Sequence, residues 1–246
     1  NYLSSVYDNG KMGNKLNHIE INGSNNRKMG IDILINSSQD NSKPVVVFCH
    51  GYKGFKDWGF VPHLGESLAE AGIDVVTFNF SHNGIGPDGQ TFSNLDAFSK
   101  NTFSLEKEET LEIINLCAFT DFFGAHLLKP LGIIGHSRGG GIALLAAAES
   151  DQVKAVCTWA SVSTFERFSK LQIEAWKKQG FHEVMNSRTG QLFKMGLDIL
   201  KDVELSSRRK LNILEAVKTI EKPFMIVHGQ NDETVPEFEG EQLNIF

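Results

Sequence analysis

Hydrophobic and polar residues follow two rhythms along this chain. Over residues 16–21 and 29–35 they alternate, and the segment between them carries the turn residues Asn22, Gly23, Ser24 and Asn25. A period of two puts apolar side chains on one face only, which predicts two half-exposed antiparallel strands. From residue 44 mainly apolar runs take over: 44–49, which is continuous, then 73–80, 131–135, 153–160 and 223–228. A strand apolar on both sides needs cover on both sides, so these read as buried strands of a parallel sheet. Between them lie helical patterns. Residues 61–71 are amphipathic and closed by Gly72. Residues 104–119 have acidic residues early and an apolar stripe through Leu111, Ile114 and Ala118. Residues 138–149 are rich in Ala, Leu and Gly and polar on almost no face. Strands alternating with helices predict an α/β fold: a mostly parallel central sheet, helices on both faces, and reactive groups at the carboxyl ends of the strands.

Residues 161–221 break this rhythm. They hold no strand-like run but three helical patterns, 165–178, 189–200 and 211–220. Long structureless loops are rare, so the segment predicts a helical insertion lying over the carboxyl edge of the sheet as a cap. Residues 1–246 otherwise read as one domain without repeats.

Composition narrows the class. A chain of 246 residues, 41% hydrophobic and 22% charged, can bury a sizeable core in one large α/β domain. A net charge of −6 argues against nucleic acid or an acidic membrane as partner. The longest apolar run, 142–148, is too short to span a bilayer. Cys49, Cys117 and Cys157 read as small buried hydrophobes, and no Cys/His spacing suggests a metal site. No signal peptide is legible after Asn1; compartment and oligomeric state stay open.

The chemistry concentrates in three places. Gly135-His136-Ser137-Arg138-Gly139 fits G-x-S-x-G, with a buried strand before it and a small-residue helix after it. Such a turn strains the backbone of Ser137 and presents its hydroxyl outward, and a Cβ at Gly135 or Gly139 would collide with the neighbouring strand or helix. The run His50-Gly51-Tyr52-Lys53-Gly54 directly follows a buried strand. The run from His228 through Asp232 to Pro236 follows another, as H-G-x-x-D-x-x-V-P.

With these motifs in these positions, the sequence resembles the α/β-hydrolase superfamily over most of its length, in particular capped serine esterases and serine aminopeptidases. The resemblance implies that Ser137 is the nucleophile, that the backbone amides of Tyr52 and Arg138 form an oxyanion hole, and that Asp232 orients the catalytic imidazole. It also implies that His50 is structural. Asp232 has a bland reading as a turn residue satisfying its own backbone, and Glu233 is an alternative acid. A serine at the elbow, rather than aspartate or cysteine, points to acyl transfer.

The base is missing from this pattern. In the family it follows the acid after one more helix and strand, whereas residues 233–246 contain no histidine. Residues 238–246 look like that next helix cut short, so the last strand, the last helix and the base are expected to lie outside these residues. His18, His63, His126, His136, His182 and His228 sit in strands, helices or turns unsuited to the role, and His82 is the one competitor.

The expected function is cleavage of small carboxylic esters, with no metal or organic cofactor required. His82 with Phe165, Phe168 and Trp176 would line a pocket for an aromatic or medium acyl group; the same aromatics would equally serve to dock the insertion. The layout resembles small capped esterases, including those acting on hydroxycinnamate esters. Two alternatives remain: a prolyl- or aminopeptidase-type enzyme, for which Glu166, Glu174 and Glu183 could grip an amino terminus, and a non-catalytic binding protein on a hydrolase scaffold.

Overall fold

The computed structural model describes residues 15–23, 26, 28–35, 43–119, 130–206 and 210–244. The expected turn at 22–25 lies partly outside them, and His126 wholly so.

Two antiparallel strands open the fold, β1 (Lys15–Asn22) and β2 (Lys28–Ile35), with Ile19 opposite Ile31. Every second residue of β2 is buried, as its alternation requires. β2 then pairs antiparallel with β4 (Asp74–Phe78). The remaining strands run parallel: β3 (Val45–Cys49), β5 (Leu131–His136), β6 (Val153–Trp159) and β9 (Phe224–Val227). The order across the sheet is β1-β2-β4-β3-β5-β6-β9, so the mostly parallel α/β sheet expected from the apolar runs is what the chain builds.

The two faces of the parallel strands have separate cores. Val45, Val47 and Cys49 of β3 join the larger core with α3 (Phe103–Phe119) and α4 (Arg138–Glu149). Val46 and Phe48 turn the other way, onto Val61, Leu64 and Leu68 of α1 (Val61–Glu70). A strand with both faces covered reads as a continuous apolar run. α4 lies in the middle of the larger core, with Ile142, Ala143, Leu144, Ala146 and Ala147 fully buried, which accounts for its lack of a polar face. Cys49, Cys117 and Cys157 are buried free thiols.

Residues 161–221 depart from the expected all-helical insertion. α5 (Lys170–Gln179) starts with a capping box between Ser169 and Gln172 and stops at Gly180, whose φ of 86° suits glycine. A hairpin follows, β7 (Phe181–Asn186) with β8 (Gln191–Gly196), where a helix over 189–200 was expected. Its burial follows a two-residue period: Phe193 and Met195 are buried while Leu192 and Lys194 are exposed. The tight turn at 186–190 has Gly190 at φ 70° and its amide bonded to the Asn186 carbonyl. α6 (Leu197–Ser206) comes next. α7 (Ile213–Lys218) packs on α4 and on α8 (Glu237–Leu243), so it belongs to the body of the domain.

The hairpin lies over the loops that leave the carboxyl ends of β3 and β4. Phe193 packs on Phe92 and Phe98 with ring centroids 5.1 and 4.7 Å apart. The Tyr52 hydroxyl donates to the Met195 sulfur at 3.0 Å, and Lys53 Nζ to the Met185 carbonyl at 3.0 Å. A short helix in the second of these loops, α2 (Leu95–Ser99), is started by the Asn94 side chain accepting from the Ala97 amide; its single turn is too brief for periodicity to reveal.

Candidate active site

β5 ends at His136 and α4 begins at Arg138, which leaves one residue, Ser137, to make the turn. Its φ of 55° and ψ of −121° lie in a region that costs a non-glycine residue about 1–3 kcal/mol. The turn is held from both sides: the Ser137 amide donates to the Trp159 carbonyl at 2.9 Å, and its carbonyl accepts from Gly140 and Val162. Ser137 remains half-buried rather than sealed. The flanking glycines permit the crowding. A Cβ at Gly135 would meet the Gly139 carbonyl oxygen at 2.3 Å, and one at Gly139 would meet the Cys49 and His50 oxygens at 2.4 Å.

That contact also sets the loop after β3 against the elbow. A Cβ on Gly51 would lie 3.1 Å from the Ser137 Cβ, so Tyr52 follows a residue already touching the serine. Among the described residues the Tyr52 amide has no acceptor. The Arg138 amide is the first of α4 and has no acceptor within the helix. Beneath the loop, His50 Nδ1 donates to the Gly51 carbonyl at 2.9 Å, while Nε2 accepts from the Phe80 amide at 3.4 Å. Burial pushes this imidazole down to about 4, so it stays neutral and structural.

The turn carrying Asp232 leaves β9 at the same edge. His136 is level with Trp159 across β5 and β6, and Trp159 with Val227 across β6 and β9. Two strand spacings, about 10 Å, therefore separate the starts of the two turns. His136 reports their proximity: burial holds its imidazole below the usual histidine range, the Arg188 charge adds to this, and the Asp232 carboxylate opposes it. Oδ1 of Asp232 accepts the Thr234 and Val235 amides, each at 2.9 Å. Oδ2 has no partner among the described residues. His228 Nε2 donates to the Val235 carbonyl at 2.7 Å and braces the same turn.

Most of the other described histidines are engaged elsewhere. His18 bonds Asp32 at 2.6 Å, and His63 is exposed on α1. His182 packs edge-on against Phe168 and at a tilt against Trp176, both at 5.2 Å. His82 is buried with Nδ1 2.6 Å from Ser81 Oγ, and it lines a surface cleft with Lys100, Ser104 and Asp198. Of the aromatics expected around a pocket, Phe165 is buried on Phe103 at 4.0 Å, and Phe168 packs edge-on against the fully buried Trp176 at 5.1 Å. Phe168 and Trp176 are thus brought together, and Phe165, Phe168 and Trp176 all make packing contacts.

Several buried polar residues at the site were not legible in the sequence. Glu106 and Glu109, on the early acidic turns of α3, point inward. Glu106 receives the Arg138 guanidinium, and Glu109 accepts the Ser81 amide at 3.0 Å. Burial pushes the Glu109 carboxyl up to about 7. Glu239 of α8 pairs with Arg167, which also donates to the Thr234 carbonyl at 3.1 Å, so the acid turn is fastened to the loop after β6. The signal available was charge at helix positions facing the core, which the i, i+3, i+4 pattern marks only when the apolar stripe is well defined.

Residues 44–186, more than half of the chain, match the family described as alpha/beta hydrolase fold. An uncharacterized 31.7 kDa protein from the traX-finO intergenic region of Escherichia coli is 23% identical over 208 residues, 80% of this chain and 68% of that protein. Est1E of Butyrivibrio proteoclasticus, solved with ferulic acid bound, superposes with a TM-score of 0.68 at 19% identity, covering 90% of this chain and 83% of that one. A puromycin-hydrolyzing peptidase of Mycobacterium tuberculosis gives a TM-score of 0.65 at 17% identity, covering 96% of this chain and 34% of that one. At such identities the two solved structures speak for the fold alone.

Proposed function

We propose that this chain, which belongs to the alpha/beta hydrolase fold family, cleaves small carboxylic esters through an acyl-enzyme on Ser137. The observation that carries the reading is the backbone of Ser137, φ 55° and ψ −121°, half-exposed at the N-terminus of α4 beside two amides that have no acceptor among the described residues. Strain of this kind persists where the surrounding structure enforces it, and here it presents a hydroxyl.

In the reaction, Ser137 Oγ attacks the ester carbonyl carbon. Its proton passes to a general-base histidine, which the Asp232 carboxylate would orient through Oδ2, without a partner among the described residues. The carbonyl oxygen takes the negative charge and receives the Tyr52 and Arg138 amides, with the positive end of the α4 dipole behind them. Each such donor is worth about 10²–10³ in rate. The alcohol leaves with the histidine's proton, and water, deprotonated by the same histidine, releases the acid from Ser137. The hairpin β7–β8 over the carboxyl-edge loops acts as the cap that shelters the substrate.

An ester is favoured over a peptide. Glu166, Glu174 and Glu183 are all exposed, and Glu183 pairs with Lys194, so they form no acidic clamp for a substrate amino group. The test is to treat the full-length protein with a fluorophosphonate and map the adduct, then to compare a short aryl ester with an aminoacyl anilide. A Ser137 adduct and faster ester turnover are expected. An adduct elsewhere, or none, overturns the reading, and faster anilide turnover replaces ester with peptide.

A further inference from the structure

Tyr52 and Arg138 stand on different loops, one after β3 and one after β5. An oxyanion hole built from both requires the two loops to hold one separation. The side chain of Arg138 supplies a link between them. It turns into the interior, 8% exposed. Its guanidinium lies between two rings, with Cζ 4.9 Å from the Tyr52 centroid and 4.7 Å from that of Phe103. Its fork docks on one carboxylate: Nε donates to Glu106 Oε2 at 2.9 Å and the terminal nitrogen to Oε1. Glu106 is itself fixed, 4% exposed, with Oε1 accepting Asn101 Nδ2 at 2.7 Å. Tyr52 is held at its far end by the bond to Met195 and by Phe98, 5.8 Å away ring to ring.

The void between Tyr52, Phe98, Asn101, Arg138 and Met195 is about 10 Å³, too small for a substrate group. No substrate group fits against the pair on that side. Stability does not call for it either, since a well-packed apolar set of similar volume commonly replaces a buried ion pair without loss. What the pair offers is geometry. A planar guanidinium can accept a bidentate carboxylate along its edge and two rings on its faces at once, and neither lysine nor an apolar residue can do so.

We propose that Glu106 is a positioning residue: through the Arg138 guanidinium stacked on Tyr52, it fixes the separation of the two backbone amides that receive the oxyanion. The proposal rests on Ser137 being the nucleophile. Loosening the clamp should weaken binding of the tetrahedral, charged state and leave binding of the planar ester nearly as it was.

The experiment uses the full-length protein, an aryl ester, and a trifluoromethyl ketone that forms a tetrahedral adduct on serine. Glu106→Gln should lower kcat by about 10- to 100-fold and raise the ketone inhibition constant by a similar factor, with KM within about threefold. Glu106→Asp should recover part of both. The double variant Glu106→Met, Arg138→Met separates positioning from folding: it should melt at or above the wild-type temperature while kcat stays down by at least about tenfold. A double variant that melts like wild type with kcat within about threefold of it overturns the proposal. So does a change confined to KM, or a double variant that cannot fold. Wild-type protein that neither turns over the ester nor binds the ketone overturns the nucleophile assignment and this proposal together, a result distinct from an active wild type with indifferent variants.

Discussion

The Cα of Gly139 lies against the carbonyl oxygen of His50, so that a Cβ on it would come within 2.4 Å of that oxygen and of the Cys49 oxygen. This approach seats the helix after the elbow on the end of β3 and brings the Tyr52 loop to Ser137. Neither partner is a flexible side chain that could swing aside. Gly139→Ala is therefore expected to destabilise the protein by about 3 kcal/mol or more, or to prevent folding. Gly229→Ala, whose Cβ would meet nothing within 4 Å, should change stability by less than about 0.5 kcal/mol. Urea unfolding of the two variants checks the contrast.

Asp232 offers a cleaner test of the acid. Its Oδ1 already serves the Thr234 and Val235 amides, and an asparagine oxygen can serve them equally. Asp232→Asn should keep the turn and the melting temperature while presenting an NH₂ where the imidazole needs an acceptor. A fall in kcat of about 10⁴ is expected. Steady-state kinetics beside a thermal melt would reject the assignment if kcat fell by less than about tenfold.

Glu109 predicts a pH effect on stability. Burial raises its folded value to about 7 from 4.5, so between these values the folded state holds the proton more tightly than the unfolded one. Its contribution is full below pH 4.5 and is lost as pH rises towards 7. His50 acts in the opposite sense. Its folded value is depressed from 6.5 to about 4, so its contribution is present above pH 6.5 and lost as pH falls towards 4. The two offset each other over the shared range. Glu109→Gln removes one of them, and the stability of the variant relative to wild type should grow by about 1–3 kcal/mol from pH 4.5 to 7. Denaturant unfolding across that range would refute this with a flat difference.

The hairpin gives a packing contrast between neighbours. Phe193 is fully buried against Phe92 and Phe98, whereas Leu192 beside it is 42% exposed. Phe193→Ala should cost about 3–5 kcal/mol and Leu192→Ala less than about 0.5 kcal/mol, read from thermal or urea unfolding. Equal losses would mean that the register of β8 is not the one described.

The two rhythms of the sequence differ in how well they travel into the fold. Residues 44–49, 73–80, 131–135, 153–160 and 223–228 each contain a parallel strand, but the last, β9, is not the buried strand its apolar run predicts: it ends the sheet order and exposes Met225 and Val227. The segment 189–200 misled the helical reading because its apolar residues fit either period. What decided for a strand was a partner, Phe181–Asn186, to pair with and a floor of Phe92 and Phe98 to cover Phe193. Local pattern cannot carry that information.

By itself the sequence determined the elbow, since strand, serine, glycine spacing and helix are contiguous and the strain at Ser137 is local. It also determined that Tyr52 and Asp232 each follow a strand of the parallel sheet. Only the tertiary structure decided that those turns meet at one edge, that Arg138 reaches inward to Glu106, and that the expected pocket aromatics are spent on packing. Such contacts join residues far apart along the chain, and whether a charge or ring faces solvent, substrate or core is fixed by the surfaces that close around it.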